Sequence, residues 1–269
     1  MILVETTLRN NPNECGLEDA GCTKGFRMLD RLLNRLLRPL IKMGIRSELR
    51  KIQHLAQSST RDYVFERSVE YAYALDKLNE FECYNVLDVG SGSSPFPALL
   101  QSMGYRVAAI DSGGDYWSDG CWNPYFLLTW DDILHSSLPS AAYDGITCIS
   151  VIEHIEDHNK AISEMVRLLR PGGYLIISFP YCHDEYCENV YGLPEADEMS
   201  STFRYIAQAF DEDIINGWIK SNNLERMDEC LFSGWTGKHW RCGERRRFAR
   251  KVANREEANG ICLCLRQRC

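Results

Sequence analysis

The sequence Val86-Leu87-Asp88-Val89-Gly90-Ser91-Gly92-Ser93-Ser94-Pro95 joins a short apolar run to a glycine-rich loop. The apolar run predicts a buried strand, and the glycines after it allow a tight turn of the backbone. In a parallel sheet, such a loop lets the backbone approach a nucleotide-like ligand, and the next helix offers its N-terminus to polar groups. A glycine loop alone is weak evidence for such a ligand, so other residues along the chain must support the interpretation.

Short β-rich runs alternate with helical segments beyond this loop, which indicates βαβ units and a parallel sheet. We predict an α/β fold with a Rossmann-like, seven-stranded, mostly parallel sheet, helices on both faces and an N-terminal helical extension. The predicted strands are residues 85–89, 105–110, 125–130, 143–149, 174–179, 224–232 and 260–265. The helices are predicted at 62–78, 97–103, 159–169 and 211–220, with a polar one within 244–258. Residues 1–80 are expected to form the lead-in and extension, and residues 81–269 the main domain.

An acidic residue, Asp111, ends the second predicted strand about 20 residues after the glycine loop. A carboxylate at that position can accept hydrogen bonds from both hydroxyls of a ribose. Together with the loop, Asp111 therefore predicts a bound adenosine.

Four segments in order resemble the S-adenosylmethionine-dependent methyltransferases with a seven-stranded sheet. They are the glycine loop, the acids that end at Asp132, the run from Tyr143 to Ile155 with its Glu-His step, and the Leu168 to Ile176 segment with its Pro-Gly-Gly turn. The resemblance covers residues 85–179 and implies S-adenosylmethionine as cofactor. One departure is Ser94, which stands where the family has a third small residue, and serine fits only if its φ is not positive.

The resemblance also implies which residues bind the cofactor. Asp132 would accept from the adenine amino group, and Ile133 would pack on or near its ring. The full implied set is Asp88, Gly90, Ser91, Gly92, Asp111, Ser112, Asp132, Ile133 and Ser150.

Two alternatives remain open at this stage. A nicotinamide-dependent oxidoreductase also uses a glycine loop and an acid, but the Tyr73 to Lys77 arrangement lies upstream of the loop, unlike the pair of a short-chain dehydrogenase. A non-catalytic methyltransferase-like binding protein would keep the same fold. The intact acids favour the enzyme.

The methyl acceptor cannot be identified from the sequence, although a hydroxyl of a small molecule or sugar is a reasonable expectation. His154, just beyond the fourth strand, is the candidate general base for such an acceptor, with His183 and Asp184 as alternatives. Residues 115–123 and 233–240 are aromatic and polar, as a flat-ring or sugar pocket would be, but such residues also pack loops onto sheets.

Composition limits the partners. The net charge of −8 argues against general nucleic-acid binding.

The 12 cysteines are scattered along the chain, which favours free thiols in a cytoplasmic protein. No secretory signal or membrane-spanning run is visible in the sequence. Residues 182–187 carry metal-capable side chains, but no second cluster stands at zinc-site spacing, so we expect no metal. The basic cluster at 245–251 is expected to be a solvated helix face.

A local excess of positive charge lies near the N-terminus. The segment from Lys24 to Lys51 contains nine basic residues and two acidic ones, and its leucines recur at helical spacing. Residues 26–51 therefore predict a basic amphipathic helix that contacts either an anionic membrane surface, as a peripheral element, or the main domain or a second subunit.

Overall fold

The computed structural model of the chain describes residues 66–113, 123 and 125–268. The predictions for residues 1–65, among them the basic segment 26–51, lie outside the described residues, as does most of the aromatic segment 115–123. The domain boundary at residues 80 and 81 stays a prediction.

A single sheet organises the described residues. Its strands lie in the order β3-β2-β1-β4-β5-β8-β6-β7. The strands are β1 (Asn85–Val89), β2 (Arg106–Asp111), β3 (Thr129–Trp130), β4 (Tyr143–Ile149), β5 (Leu169–Pro180), β6 (Leu224–Trp235), β7 (Arg245–Lys251) and β8 (Gly260–Gln267).

Strands β1 to β5 run parallel to one another. Helices at Phe96–Ser102 and His158–Leu168 link β1 to β2 and β4 to β5 across the faces of the sheet. Strand β8 is antiparallel to both β5 and β6, and β7 forms an antiparallel hairpin with β6. The switch point of the order lies between β1 and β4, and the loops at their carboxyl ends are where open α/β sheets bind ligands.

Helices cover both faces of the sheet. They are α1 (Arg67–Glu80), α2 (Phe96–Ser102), α3 (His158–Leu168) and α4 (Glu212–Ser221). Side chains alternate along each strand, so Val86 packs with α1 and α2 in one apolar cluster and Leu87 with α3 and α4 in the other. The predicted α/β class with a mostly parallel sheet and helices on both faces is confirmed.

The predicted number of strands is wrong, since the described sheet has eight rather than seven. The additional strand is β7, Arg245–Lys251, where the sequence analysis placed a polar helix within 244–258 and read the basic cluster as a helix face. All seven residues of β7 are exposed or half-buried, because β7 is an edge strand that pairs with β6 alone within the described sheet. An edge strand of this kind has no apolar period to reveal it.

Strand β3 is shorter than predicted, with only Thr129–Trp130 paired to β2. The cause is Asn123, whose Oδ1 accepts hydrogen bonds from the backbone N–H groups of Tyr125 and Phe126, at 2.8 and 2.9 Å. These two donors are therefore engaged in an Asx-type turn rather than in the ladder.

Among the helices that the structure describes, none combines the length and the apolar character that crossing a membrane requires.

Candidate functional site

The glycine loop turns sharply at the carboxyl end of β1. Gly90 and Gly92 have φ values of 72° and 47°, a region that disfavours side chains. A Cβ atom at Gly90 would lie 2.4 Å from Cγ1 of Val151, so glycine is also required there for space. The N–H of Gly90 donates to the carbonyl of Ile110 at 2.9 Å, which attaches the loop to β2.

Ser94, the departure from the family pattern, is not among the described non-glycine residues with positive φ. Its hydroxyl accepts from the N–H of Phe96 at 3.0 Å and lies 2.8 Å from the hydroxyl of Tyr71 on α1. Ser94 therefore ties the loop to the start of α2 and to α1, and its backbone accommodates a side chain.

Asp88 lies at 3% exposure beneath the loop. Its carboxylate accepts from the hydroxyls of Ser91 and Thr147, each at 2.7 Å. Burial raises the pKa of Asp88 to about 6, although these two hydrogen bonds act in the opposite direction. The side chains of Asp88 and Ser91, both predicted cofactor residues, are thus joined to each other and to β4.

Asp111 ends β2 beside the loop and holds two backbone segments. One carboxylate oxygen accepts from the N–H of Gly92 and the other from the N–H of Gly113, both at 2.8 Å. Ser112 is exposed between them. The structure thus brings together the two features from which the sequence predicted an adenosine site.

Asn123 is a member of this site that the sequence analysis did not select. Its amide donates to the carbonyls of Gly92 and Ser94, at 2.9 and 2.8 Å, while its oxygen holds the turn before β3. One side chain therefore clamps the glycine loop to the segment that follows β2. Its position within a long connection gave no signal, because asparagine is common in loops of every kind.

Asp132 and Ile133 follow β3 on the same edge of the sheet. Oδ1 of Asp132 accepts from the N–H of Leu134 at 2.9 Å, and Oδ2 lies 3.7 Å from Nδ1 of His135 in a half-exposed setting. Ile133 is buried at 6% exposure within the apolar cluster. The adenine contacts predicted for both residues stay predictions.

Ser150 follows β4 with a φ of 50°, an uncommon conformation for a residue other than glycine. Its hydroxyl donates to Oε1 of Glu70 at 2.7 Å, and Ser178 donates to the same oxygen at 2.9 Å. Glu70, buried on α1, also pairs with Arg67 at 2.7 Å. Backbone strain of this kind concentrates at binding sites. Glu70 was not selected from the sequence, because only the packing of α1 brings it to the ends of β4 and β5.

Beyond Ser150, the buried carboxyl group of Glu153 lies beside the half-buried imidazole ring of His154. Oε1 of Glu153 lies 3.6 Å from Nε2 of His154, and Oε2 is buried without a hydrogen-bond partner among the described residues. Burial raises the pKa of Glu153 to about 8. Burial also lowers the pKa of His154 to about 4, although the carbonyl of Ile206, 2.7 Å from Nδ1, acts in the opposite direction.

The alternative bases are engaged elsewhere. Nδ1 of His183 lies 3.2 Å from the hydroxyl of Tyr181, and Asp184 is an exposed partner of Lys238 at 3.1 Å. In the second aromatic segment, Trp235 is buried and meets Trp240 edge-on, with 6.4 Å between ring centroids. Trp240, in the connection between β6 and β7, also meets Phe232 of β6 edge-on, so these tryptophans pack that connection against the sheet.

Comparisons with known proteins identify the family of the chain. The sequence profile of the methyltransferase domain family matches residues 23–227. A ubiquinone biosynthesis O-methyltransferase of Rickettsia typhi is 31% identical over 119 residues, which is 41% of this chain and 47% of that protein. One from Sodalis glossinidius is 27% identical over 114 residues, 39% of this chain and 45% of that protein. The chain spans about half the length of the curated relatives it matches.

Solved structures share the fold. A 1,6-didemethyltoxoflavin-N1-methyltransferase of Burkholderia thailandensis, with bound 1,6-didemethyltoxoflavin and S-adenosylhomocysteine, has a TM-score of 0.52 at 14% identity and covers 87% of this chain and 90% of its own. A SAM-dependent methyltransferase of Archaeoglobus fulgidus has a TM-score of 0.50 at 13% identity. The match covers 74% of this chain and 94% of that protein. The family match over residues 23–227 confirms the resemblance first seen in the glycine loop, and this chain belongs to the methyltransferase domain family, as a class I S-adenosylmethionine-dependent member.

Proposed function

We propose that this chain transfers the methyl group of S-adenosylmethionine to a hydroxyl group of a small molecule or sugar. The observation that carries the proposal is the carboxylate of Asp111, bonded to Gly92 of the glycine loop at 2.8 Å. This contact unites the predicted ribose acceptor and the predicted backbone cradle in one site at the carboxyl ends of β1 and β2.

The residues present fit the adenosine part of the donor. Each oxygen of Asp111 accepts one backbone N–H, and an ionised carboxylate oxygen has two lone-pair positions, so each oxygen keeps one for a ribose hydroxyl. Oδ2 of Asp132, on the same edge, is the acceptor available to the adenine amino group. When bound, the donor supplies a methyl group that its sulfonium already activates, which leaves binding, orientation and exclusion of water to the protein.

His154 is the residue that we propose as general base. Its Nδ1 faces a carbonyl, which can only accept, so the proton of the neutral ring resides on Nδ1 and the lone pair on Nε2. With a pKa lowered by burial to about 4, the ring is neutral near pH 7, which is the state in which a general base can take a proton from an acceptor hydroxyl.

Glu153 compensates for the weak basicity that the low pKa implies. Its carboxyl group lies beside Nε2 and ionises with a pKa of about 8, raised by burial. Once ionised, it stabilises the imidazolium that forms when His154 takes a proton. We therefore expect activity to rise as the pH approaches 8.

A hydroxyl acceptor is favoured by the names of the curated relatives, which are O-methyltransferases of ubiquinone biosynthesis. The Burkholderia enzyme is named an N1-methyltransferase, but at 14% identity it supports only the fold. The curated relatives support an oxygen acceptor without identifying the molecule.

A transfer assay with methyl-labelled S-adenosylmethionine tests the proposal. Phenols, catechols, sugars and amines are offered separately to the full chain, and labelled product and S-adenosylhomocysteine are quantified. We expect turnover with a hydroxyl acceptor, and a kcat about 100-fold lower in His154→Asn with unchanged S-adenosylhomocysteine affinity. Turnover with amines alone would refute the acceptor class. Donor binding without turnover on any acceptor would favour the non-catalytic binding protein.

A further inference from the structure

A second group of chemically reactive side chains lies away from the glycine loop, where the segment after β5 meets the β6–β7 hairpin. The two segments are joined by a bridge between Ala196 and Cys242 and by the N–H of Asp197, which donates to the carbonyl of Arg241 at 2.9 Å. Next to these backbone contacts, Cys182 and Glu185 from the first segment face His239 from the hairpin.

These three side chains offer metal-ligand atoms at close range. One sulfur, one carboxylate oxygen and one imidazole nitrogen all lie within 4.8 Å of one another. A further carboxylate oxygen, Oδ1 of Asp184, lies 3.4 Å from Sγ of Cys182. Zinc typically binds a mixed set of sulfur, nitrogen and oxygen atoms, with bonds of about 2.0 to 2.3 Å. Atoms bound to one zinc ion therefore lie a few ångströms from one another, as the atoms of this cluster do.

The imidazole ring of His239 presents one nitrogen to the carboxylate of Glu185. Nδ1 of His239 is buried and has no hydrogen-bond partner among the described residues, whereas Nε2 lies 3.0 Å from Oε1 of Glu185. Nε2 is therefore the ring nitrogen that faces Glu185 and can bind an ion between the two side chains. When Nε2 binds a metal ion, the ring proton resides on Nδ1.

A cation already occupies part of the cluster. Nζ of Lys238 lies 2.9 Å from Oε1 of Glu185 and 3.1 Å from Oδ1 of Asp184. Its side chain is 48% exposed, so the ammonium group can move into solvent without being buried elsewhere. The ammonium group of Lys238 thus balances the charge of the two carboxylates, Asp184 and Glu185. A divalent ion that binds the same carboxylates can displace it.

We propose that Cys182, Glu185 and His239 bind Zn²⁺, with Asp184 as the oxygen donor closest to a fourth position. On binding, the thiol of Cys182 releases its proton to solvent and the ammonium of Lys238 withdraws; no group is oxidised or reduced. The ion would clip the segment after β5 to the β6–β7 hairpin. This proposal departs from the expectation of no metal, in which residues 182–187 lacked a second cluster at zinc-site spacing and no pattern brought His239 to them.

Titration of the full chain, freed of tags and stripped with a chelator, tests the proposal with ZnCl₂ as the probe. We expect one Zn²⁺ per chain and, at saturation, a rise of about 5 °C in thermal midpoint. Cys182→Ser and His239→Gln are expected to weaken binding at least tenfold. Lys238→Met is expected to tighten it several-fold, because the competing charge is gone, and a merely structural ion-pair cluster would not respond in that direction.

Matched controls use the same residue types outside the cluster. Cys187→Ser, in the same segment, and His135→Gln, on the surface, should bind Zn²⁺ as the wild type does. With Co²⁺ as a second probe, a thiolate charge-transfer band should appear in the controls and be absent from Cys182→Ser. No Zn²⁺ binding by the wild type, or equal binding by Cys182→Ser and His239→Gln, would overturn the proposal. S-adenosylhomocysteine affinity, measured in the same samples, reports on the donor site independently.

Discussion

The carboxylate of Asp111 accepts hydrogen bonds from the N–H groups of Gly92 and Gly113 at the carboxyl ends of the strands, where we propose that the methyl donor binds. Asp111→Ala is expected to weaken S-adenosylhomocysteine binding by about 1 to 3 kcal/mol, the usual size of hydrogen bonds to a charged group. Isothermal calorimetry measures the change. Asp213→Ala, on the exposed side of α4, is the control and should bind normally. Unchanged affinity in Asp111→Ala would place the ribose elsewhere.

The buried carboxyl group of Glu153 makes a prediction about stability and pH. Because its pKa is raised from 4.5 to about 8 by burial, the folded chain holds this proton more tightly than the unfolded chain. The group therefore costs stability above about pH 4.5, and the cost grows until the pH passes about 8. Relative to Glu153→Gln, the wild type should lose free energy of unfolding, on the order of 4 kcal/mol, across this window.

Urea unfolding of both proteins between pH 5 and about 8.5 measures that difference. His154, whose lowered pKa costs stability on the acid side, is present in both proteins, so its direct effect cancels in the comparison. Parallel stability curves for the two proteins would mean that Glu153 is ionised throughout, and the proposed cooperation with His154 would then fail.

At the scale of elements, the glycine loop depends on Gly90 for both conformation and space. Gly90→Ala adds a methyl group at a φ of 72° and against Val151, so we expect a loss of about 2 to 5 kcal/mol in free energy of unfolding. Combined with Val151→Ala, part of the steric cost should disappear. Urea unfolding should then give a loss for the double variant that is smaller than the sum of the two single losses. If the losses of the two single variants simply add, the predicted contact between residue 90 and Val151 is contradicted.

The helices and most strands could be predicted from the sequence because their apolar residues recur at regular spacing. Helix α3, for example, is observed at His158–Leu168 against a prediction of 159–169. Strand β7 could not, since an arginine-rich edge strand carries no such spacing. Strand β3 was overestimated because the hydrogen bonds that Tyr125 and Phe126 donate to Asn123 depend on a turn that composition does not specify.

The site could be predicted where one rule applied, namely that the carboxyl ends of parallel strands share an edge. That rule placed Asp111 beside the loop. It could not supply Asn123 or Glu70, which reach the site from a long connection and from a helix packed across the sheet. Nor could it join His239 to Cys182, because that meeting depends on how the β6–β7 hairpin folds back.

For the whole molecule, the central claim is that the glycine loop, Asp111 and Asp132 form one site for the methyl donor. Calorimetric titration of the purified full chain with S-adenosylhomocysteine tests it most directly, with NAD⁺ as the competing ligand of the same fold class. We predict one site per chain with a Kd in the micromolar range, about −8 kcal/mol, and no heat from NAD⁺. Binding of NAD⁺ together with no response to millimolar S-adenosylhomocysteine would contradict the account.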